Sequence, residues 1–361
     1  MPNLSTQAAW NRLRSLQTSL DSAIGNLHVN LFNQPRERIA SLPTPFQFLP
    51  RLTAELGGPR IYIKRDDLTG LAFGGNKTRK LEYLLADAKA KQATHLITFG
   101  ADQSNHVRQT AAAARIGGME SVMILDSKVP NPDIQGNLLL DALLGARWKL
   151  IESRDERDEV LEEAIGEIRA LGGREYVIPG GGSNAIGSFG YISAMLELSY
   201  QLWDAGVSPK AMYFGSGSGG TQAGIELGTR MFGLGNIARG VIVSPGVDPK
   251  REIIATIADE AATMLGIPNP VKPEEITLLD GYVGEGYGIA TPAALEAIDL
   301  LAKTEGILLD SVYTAKAFSG MIAEIREKQF EVTDSVIFLH TGGQPALFAK
   351  RNDLKPILPE E

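Results

Sequence analysis

The chain has 361 residues, 43% of them hydrophobic and 22% charged, no cysteine, and a formal net charge of −8. This composition suits a globular protein with a large core, built as two domains or one large α/β unit. It excludes disulfides, thiolate nucleophiles and zinc–thiolate sites, offers no electrostatic case for nucleic acid or an anionic membrane, and contains no apolar run near the roughly 18 residues of a membrane span.

In chain order, residues 4–24 read as a helix with Trp10, Leu13, Leu16 and Leu20 on one side, an extension expected to pack on the body or on a neighbouring subunit. No secretory pattern precedes it, and a cytoplasmic protein is expected. Leu42-Pro43-Thr44-Pro45 is a stiff lead-in to a strand at 61–64 and a turn at 65–70. Gly74 and Gly75 then precede a helix over 77–90, with Asn76 as the expected N-cap. From there the pattern alternates. Strands are expected at 95–99, 121–125, 148–151 and 176–179, and helices at 105–117, 134–145, 155–172 and 186–205. A second series has strands at 212–214, 241–243 and 336–339, with helices at 221–232, 250–265, 291–305 and 315–327. Strands alternating with helices imply βαβ units and mainly parallel sheets, with ligands bound where glycine-rich loops leave the carboxyl ends of strands.

Lys77 is the most informative residue of the chain. A cation in the first turn of a helix faces the positive end of the macrodipole, which lowers the amine pKa and favours nucleophilic or Schiff-base chemistry. A solvated helix that begins with basic residues is the bland alternative. Residues 215–221, Gly-Ser-Gly-Ser-Gly-Gly-Thr, follow a strand and open a helix, the geometry that holds phosphate on backbone N–H groups. The loop formally matches a dinucleotide fingerprint, but the next strand runs into Ser244 and Pro245 and lacks the acid that would hold the ribose. A phosphate monoester or a purely structural turn remains. Ser104 and Asn105, at a third strand-to-helix junction, either cap the helix or present a hydroxyl and an amide. His106 reads as a satisfied helix histidine, and the histidines show no metal spacing. Tyr287 and Tyr313 lie on loops that precede helices. One lysine, one phosphate-type loop and several hydroxyls suit pyridoxal 5′-phosphate.

Taken together, residues 73–82 (Phe-Gly-Gly-Asn-Lys-Thr-Arg-Lys-Leu-Glu), 103–106, 180–184, 219–224, 285–288 and 340–343 (His-Thr-Gly-Gly) make the chain resemble a known family. This is the 1-aminocyclopropane-1-carboxylate deaminase and D-cysteine desulfhydrase family of pyridoxal-phosphate enzymes. The likeness runs from about Leu42 to Ala349. It implies the tryptophan synthase β-like fold type II, two open α/β domains with the cofactor in the cleft, and a homodimer acting on a small amino acid. The corresponding division is a helical extension at 1–35, a large cofactor domain at 36–79 plus 190–361, and a small domain at 80–189.

Carried over by position, Lys77 bonds the cofactor covalently, Ser104 lies close to cofactor and substrate, and Asn105 hydrogen-bonds the ring oxygen. Ser218, Gly219, Gly220 and Thr221 hold the phosphate, and Tyr287 and Tyr313 face the substrate. Thr314 and Thr341 discriminate within the family. Members acting on the cyclopropane substrate carry Glu and Leu there, whereas D-cysteine desulfhydrases carry hydroxyl residues, as this chain does. A hydroxyl makes a weaker electron sink of the cofactor than a carboxylate, which suffices when a β-substituent departs readily. The expected reaction is therefore β-elimination from D-cysteine. L-cysteate sulfo-lyase and the cyclopropane deaminase are the alternatives in chemistry; Arg108 is the only extra cation the sequence offers to an anionic leaving group. A non-catalytic binding protein and a nicotinamide oxidoreductase are the alternatives in class.

Overall fold

A computed structural model describes residues 30–127, 129–244 and 248–358; the helix expected at 4–24 lies outside them. Among the described residues ten strands form two sheets. They are β1 (Phe46–Phe48), β2 (Arg60–Lys64), β3 (His95–Ala101), β4 (Glu120–Asp126), β5 (Arg147–Ile151), β6 (Glu175–Ile178), β7 (Ala211–Ser216), β8 (Ala238–Ile242), β9 (Leu278–Leu279) and β10 (Ser335–Leu339). The larger sheet has the order β1-β2-β10-β7-β8-β9, and the smaller β5-β4-β3-β6. Every pairing is parallel except β1 with β2.

The helices between them are α1 (Pro50–Leu56), α2 (Lys77–Ala90), α3 (Asn105–Gly117), α4 (Gly136–Leu143), α5 (Arg157–Ala170), α6 (Ala185–Ala205), α7 (Gly220–Met231), α8 (Asp248–Met264), α9 (Pro292–Glu305) and α10 (Thr314–Arg326). Among the described residues no helix is long and apolar enough to cross a membrane.

The strands of the large sheet are apolar on both faces because both faces are covered. Ile61, Ile63, Tyr213, Val336 and Phe338 pack against α9 and α10. The alternate residues Met212, Phe214, Ile337 and Leu339 pack against Tyr191, Met195 and Leu198 of α6 and Ile225 of α7. In the small sheet, Ile97, Val122 and Ile124 meet Ile165 and Ile168 of α5. Leu96 and Ile178 meet Leu81 and Leu84 of α2, so α2 ties the small sheet to the large body. On its other side α2 lies against α6 so closely that a Cβ at Gly190 would stand 2.4 Å from the Arg79 carbonyl.

Two expectations are corrected, and three short elements were not expected. β1, α1 and β9 carry too little periodicity to be seen alone and exist through their neighbours. The strand expected at 241–243 runs instead over Ala238–Ile242, because its register is set by pairing from Met212↔Ala238 to Ser216↔Ile242. Asn76 does not cap α2: its backbone is itself helical, and its side chain donates instead to Thr221 Oγ1 at 3.1 Å. Ser104 and Asn184 do cap their helices, accepting from Val107 N and Gly187 N.

A buried charge network anchors α2. Asp66 accepts from Arg79 Nε and Nη2, both at 2.8 Å, from Thr44 Oγ1 at 2.8 Å and from Tyr191 Oη at 2.6 Å. Arg79 also donates to Glu197 of α6, which pairs with Lys64 of β2. Burial opposes the ionisation of Asp66, but Arg79 and Lys64, with the Tyr191 hydrogen bond, outweigh it and hold its pKa near 2, against an ordinary 3.8. Stability from this group is therefore present above about pH 4 and is lost as pH falls towards 2. Removing one partner from such a network costs about 3–5 kcal/mol. Asp66→Asn is expected to lose stability of that order in urea unfolding at pH 7, with a smaller loss relative to the native chain at pH 3.

Candidate active site

The carboxyl ends of β3, β5, β6, β7, β8 and β10 converge on one cavity of about 540 Å³ between the sheets. That is where open parallel sheets bind ligands. Its wall includes Lys77, Ser104, Asn105, Ser218, Gly219, Thr221, Tyr287, Tyr313 and Thr341. These residues come from six separate stretches of chain, and the fold brings them together. Gly220 and Thr314 do not line the cavity. The Gly220 N–H is taken by Ser183 Oγ at 3.2 Å. Thr314 is buried, with its hydroxyl donating to Asp310 Oδ1 at 2.6 Å.

Lys77 opens α2 at the cavity floor. Before it the chain is left-handed through Ala72 (φ 43), Phe73 (φ 68) and Gly74 (φ 65). A Cβ at Gly74 would stand 2.2 Å from the Asp67 carbonyl, so only glycine fits that approach. No hydrogen bond or acidic partner among the described residues engages the Lys77 amine, and burial lowers its pKa to about 8. One helical turn on, Lys80 is fully buried. Its Nζ donates to the Gly181 carbonyl at 3.0 Å and Ser183 Oγ at 3.4 Å, and burial, then the charge of Lys77, pushes its pKa well down.

The loop 216–219 runs into the N-terminus of α7. Ser218 Oγ meets Ser183 Oγ at 2.7 Å, and Ser216 Oγ is buried with no hydrogen-bond partner. Positive helix-end potential, a buried lysine and an orphaned hydroxyl thus surround one place, the environment an anion requires.

Across the cavity, the Tyr287 and Tyr313 hydroxyls hydrogen-bond to each other, their rings edge-on at 5.9 Å. Burial raises the pKa of both, and each stays protonated at neutral pH. Asp310 fixes Tyr313 from behind by accepting the N–H groups of Val312, Tyr313 and Thr314, each at 2.9 Å.

His106 also faces the cavity. Thr98 Oγ1 donates to the Ile178 carbonyl, so its contact with His106 Nε2 at 2.8 Å makes that nitrogen the donor. Burial, then the charges of Lys77 and Lys80, keeps the ring neutral.

Sequence reasoning missed four wall or supporting residues. Lys80 was detectable, since it shares the Lys77 face at i+3. Arg154, Ser244 and Lys250 also line the cavity. They follow β5 and β8, and nothing local marks them as facing the same space. Arg108, expected as the only extra cation, is not on the wall: it is fully buried, donating to Asn137 Oδ1 and the Gly74 carbonyl.

Because burial lowers the Lys77 pKa, its amine is neutral and nucleophilic at a pH where exposed lysines, near 10.4, are not. Labelling of the cofactor-free protein with an acylating reagent, followed by mass spectrometry, should show Lys77 reacting with a midpoint near pH 8. A midpoint above about 10 would show an ordinary surface amine.

Residues 39–342 match the family model described as pyridoxal-phosphate dependent enzyme. A solved structure described as an ACC deaminase homologue is 36% identical, with a TM-score of 0.83, over 92% of this chain and 99% of the other. The processed form of threonine deaminase isoform 2 from Solanum lycopersicum shares the fold at 16% identity and a TM-score of 0.64, over 93% of this chain and 88% of the other. A pyridoxal 5′-phosphate-dependent aspartate racemase does so at 16% identity and 0.60, over 89% and 94%. The chain therefore belongs to the pyridoxal-phosphate dependent enzyme family and has its fold type II architecture.

Proposed function

We propose that this enzyme eliminates the β-substituent of a small amino acid, with D-cysteine and water as the substrates and pyruvate, hydrogen sulfide and ammonia as the products. The cavity fits the family cofactor on its own evidence. Lys77 offers a neutral amine to the aldehyde, while Lys80, the orphaned Ser216 hydroxyl and the α7 N-terminus offer an anion site to the phosphate. Ser218, Gly219 and Thr221 lie at that end, with Gly220 in the turn behind them. Asn105 is assigned to the ring oxygen.

The observation that carries the choice of reaction is the absence of any carboxylate among the described residues of the cavity wall. When bound, the cofactor supplies an electron sink for the carbon that loses its proton. With Thr341 on the wall, Thr314 behind it and no acid among the described wall residues, that sink is a weak one. It suits a substrate whose β-group departs as a stable anion, as a thiol does, rather than one that must break a carbon–carbon bond.

The chain's own residues then divide the work. The Lys77 amine, neutral near pH 8, takes the α-proton. Tyr287 and Tyr313 are protonated, and the hydrogen bond between them uses one O–H, so the pair offers the other O–H to the substrate end. Ser104, buried at the head of α3, lies on the wall of the same cavity.

A second reading, L-cysteate with sulfite as the leaving group, draws support from Arg154. Its Nε donates to Asp126 at 3.2 Å, and the residue lines the cavity on the side of Tyr287, whose phenol feels its charge. A guanidinium suits a sulfonate. The proposal also keeps the division into 1–35, 36–79 plus 190–361, and 80–189, a homodimer, and a cytoplasmic location.

Lys77→Ala is expected to abolish the visible absorption of the cofactor-loaded protein and to lower pyruvate release by roughly 10²–10⁴. Release should be fastest from D-cysteine among D-cysteine, L-cysteine, L-cysteate, β-chloro-D-alanine and 1-aminocyclopropane-1-carboxylate. Faster release from L-cysteate, lost selectively in Arg154→Ala, would replace the first reading by the second. Ketoacid formation from the cyclopropane substrate alone would sink both.

A further inference from the structure

Asn105 stands on the cavity wall, and a buried chain of hydrogen bonds decides which end of its amide faces inward. The chain begins at Arg108, which is fully buried. A guanidinium has donors and no acceptor. Its Nη1 donates to Asn137 Oδ1 at 2.9 Å and its Nη2 to the Gly74 carbonyl at 2.8 Å. The oxygen of Asn137 is thereby used, and its amide nitrogen is left to donate. It does so to the Gln103 carbonyl at 2.7 Å and to Asn105 Oδ1 at 3.0 Å. The backbone N–H of Asn137 meanwhile donates to Gln103 Oε1 at 2.9 Å, which holds the residue at the head of α4. The oxygen of Asn105 is therefore occupied by protein. Its NH₂ group has no protein acceptor among the described residues and is the end that faces the cavity.

We propose that Arg108 and Asn137 are positioning residues that lock Asn105 as a hydrogen-bond donor towards an anionic oxygen in the cavity, the ring oxygen of the bound cofactor. The inference rests on the contact assigned to Asn105 above. An amide free to turn presents its nitrogen or its oxygen with little preference of its own, and an oxygen aimed at an oxyanion repels it. Each link here transmits polarity: the cation can only donate, so Asn137 must accept from it and donate onward, and Asn105 must accept from Asn137 and donate into the cavity. Gly74 belongs to the same device, because its carbonyl takes the second Arg108 donor three residues before Lys77.

The test uses the cofactor-loaded enzyme, with Asn105→Ala as the reference. Asn137→Asp keeps size and still accepts from Arg108, but cannot donate, so it draws the Asn105 nitrogen away and turns its oxygen inward. Asn137→Leu removes the link without reversing it. The expected result for Asn137→Asp is a cofactor Kd raised roughly tenfold or more, the worth of a hydrogen bond to a charged group. Its visible absorption maximum should shift in the same direction as in Asn105→Ala, and Asn137→Leu should give a smaller change of the same sign. If Asn137→Asp does not fold, Asn137→Leu carries the test. If Asn105→Ala changes both Kd and absorption while the Asn137 variants match the native enzyme, the relay is overturned and the Asn105 contact stands. If Asn105→Ala changes neither, the contact itself is wrong and the relay falls with it.

Discussion

The geometry of this enzyme depends on one buried carboxylate. Asp66 takes both ends of the Arg79 fork and two hydroxyls, and its backbone carbonyl accepts the Gly75 N–H at 3.1 Å. Those contacts join the end of β2, the glycine turn, the first turn of α2 and the middle of α6. Lys77 is two residues from Arg79, so whatever holds Arg79 aims Lys77. The charges involved are costly to bury, and the network is tolerable because nearly every lone pair and donor is used. Such a device contributes little net stability compared with apolar packing, but it permits a single arrangement.

The electrostatics of the cavity follow from what is missing from it. Two lysines and a neutral histidine share one end, and no described wall residue is an acid. Burial lowers the pKa of both amines, which raises the neutral, nucleophilic fraction of Lys77 and favours covalent attachment there. In the proposed reading, a phosphate near Lys80 would supply the negative charge that the described wall residues lack. The tyrosine side of the cavity carries two phenols with the Arg154 guanidinium near them, and Asn105 adds an amide to the wall. The polarity of the amide is inherited from Arg108 rather than from anything at the wall.

Much of this was legible in the chain. The helices α2, α3, α6 and α10 were expected within a residue or so of their ends, because long amphipathic segments with Ser104 or Asn184 at their heads carry their own signals. The residues Lys77, Ser104, Asn105, Tyr287, Tyr313 and Thr341 were identified through glycine-flanked strand ends and through motif resemblance, and all of them reach one cavity. β1, α1 and β9 were not legible, since segments of two to seven residues are formed by pairing and packing supplied elsewhere. Nor were Arg154 and Lys250, polar residues after strand ends that look like any surface cation. Asn76 misled for a related reason: a good capping residue was drawn away by a tertiary partner, Thr221, that lies 145 residues on.

By itself the sequence determined the alternation of strands and helices, the parallel sheets and the lysine at a helix entrance, because these depend on local periodicity and backbone preference. It also determined the family, because several separated motifs had to coincide. Only the tertiary structure decided which hydroxyls and cations face the ligand and which support it. Thr314 turned out to sit behind the wall on Asp310, Arg108 inside the body, and Lys80 beneath the phosphate-type loop. The physical reason is that burial and hydrogen-bond polarity are properties of neighbours distant in the chain. A residue's type sets what it can donate or accept, and the fold sets what is there to receive it.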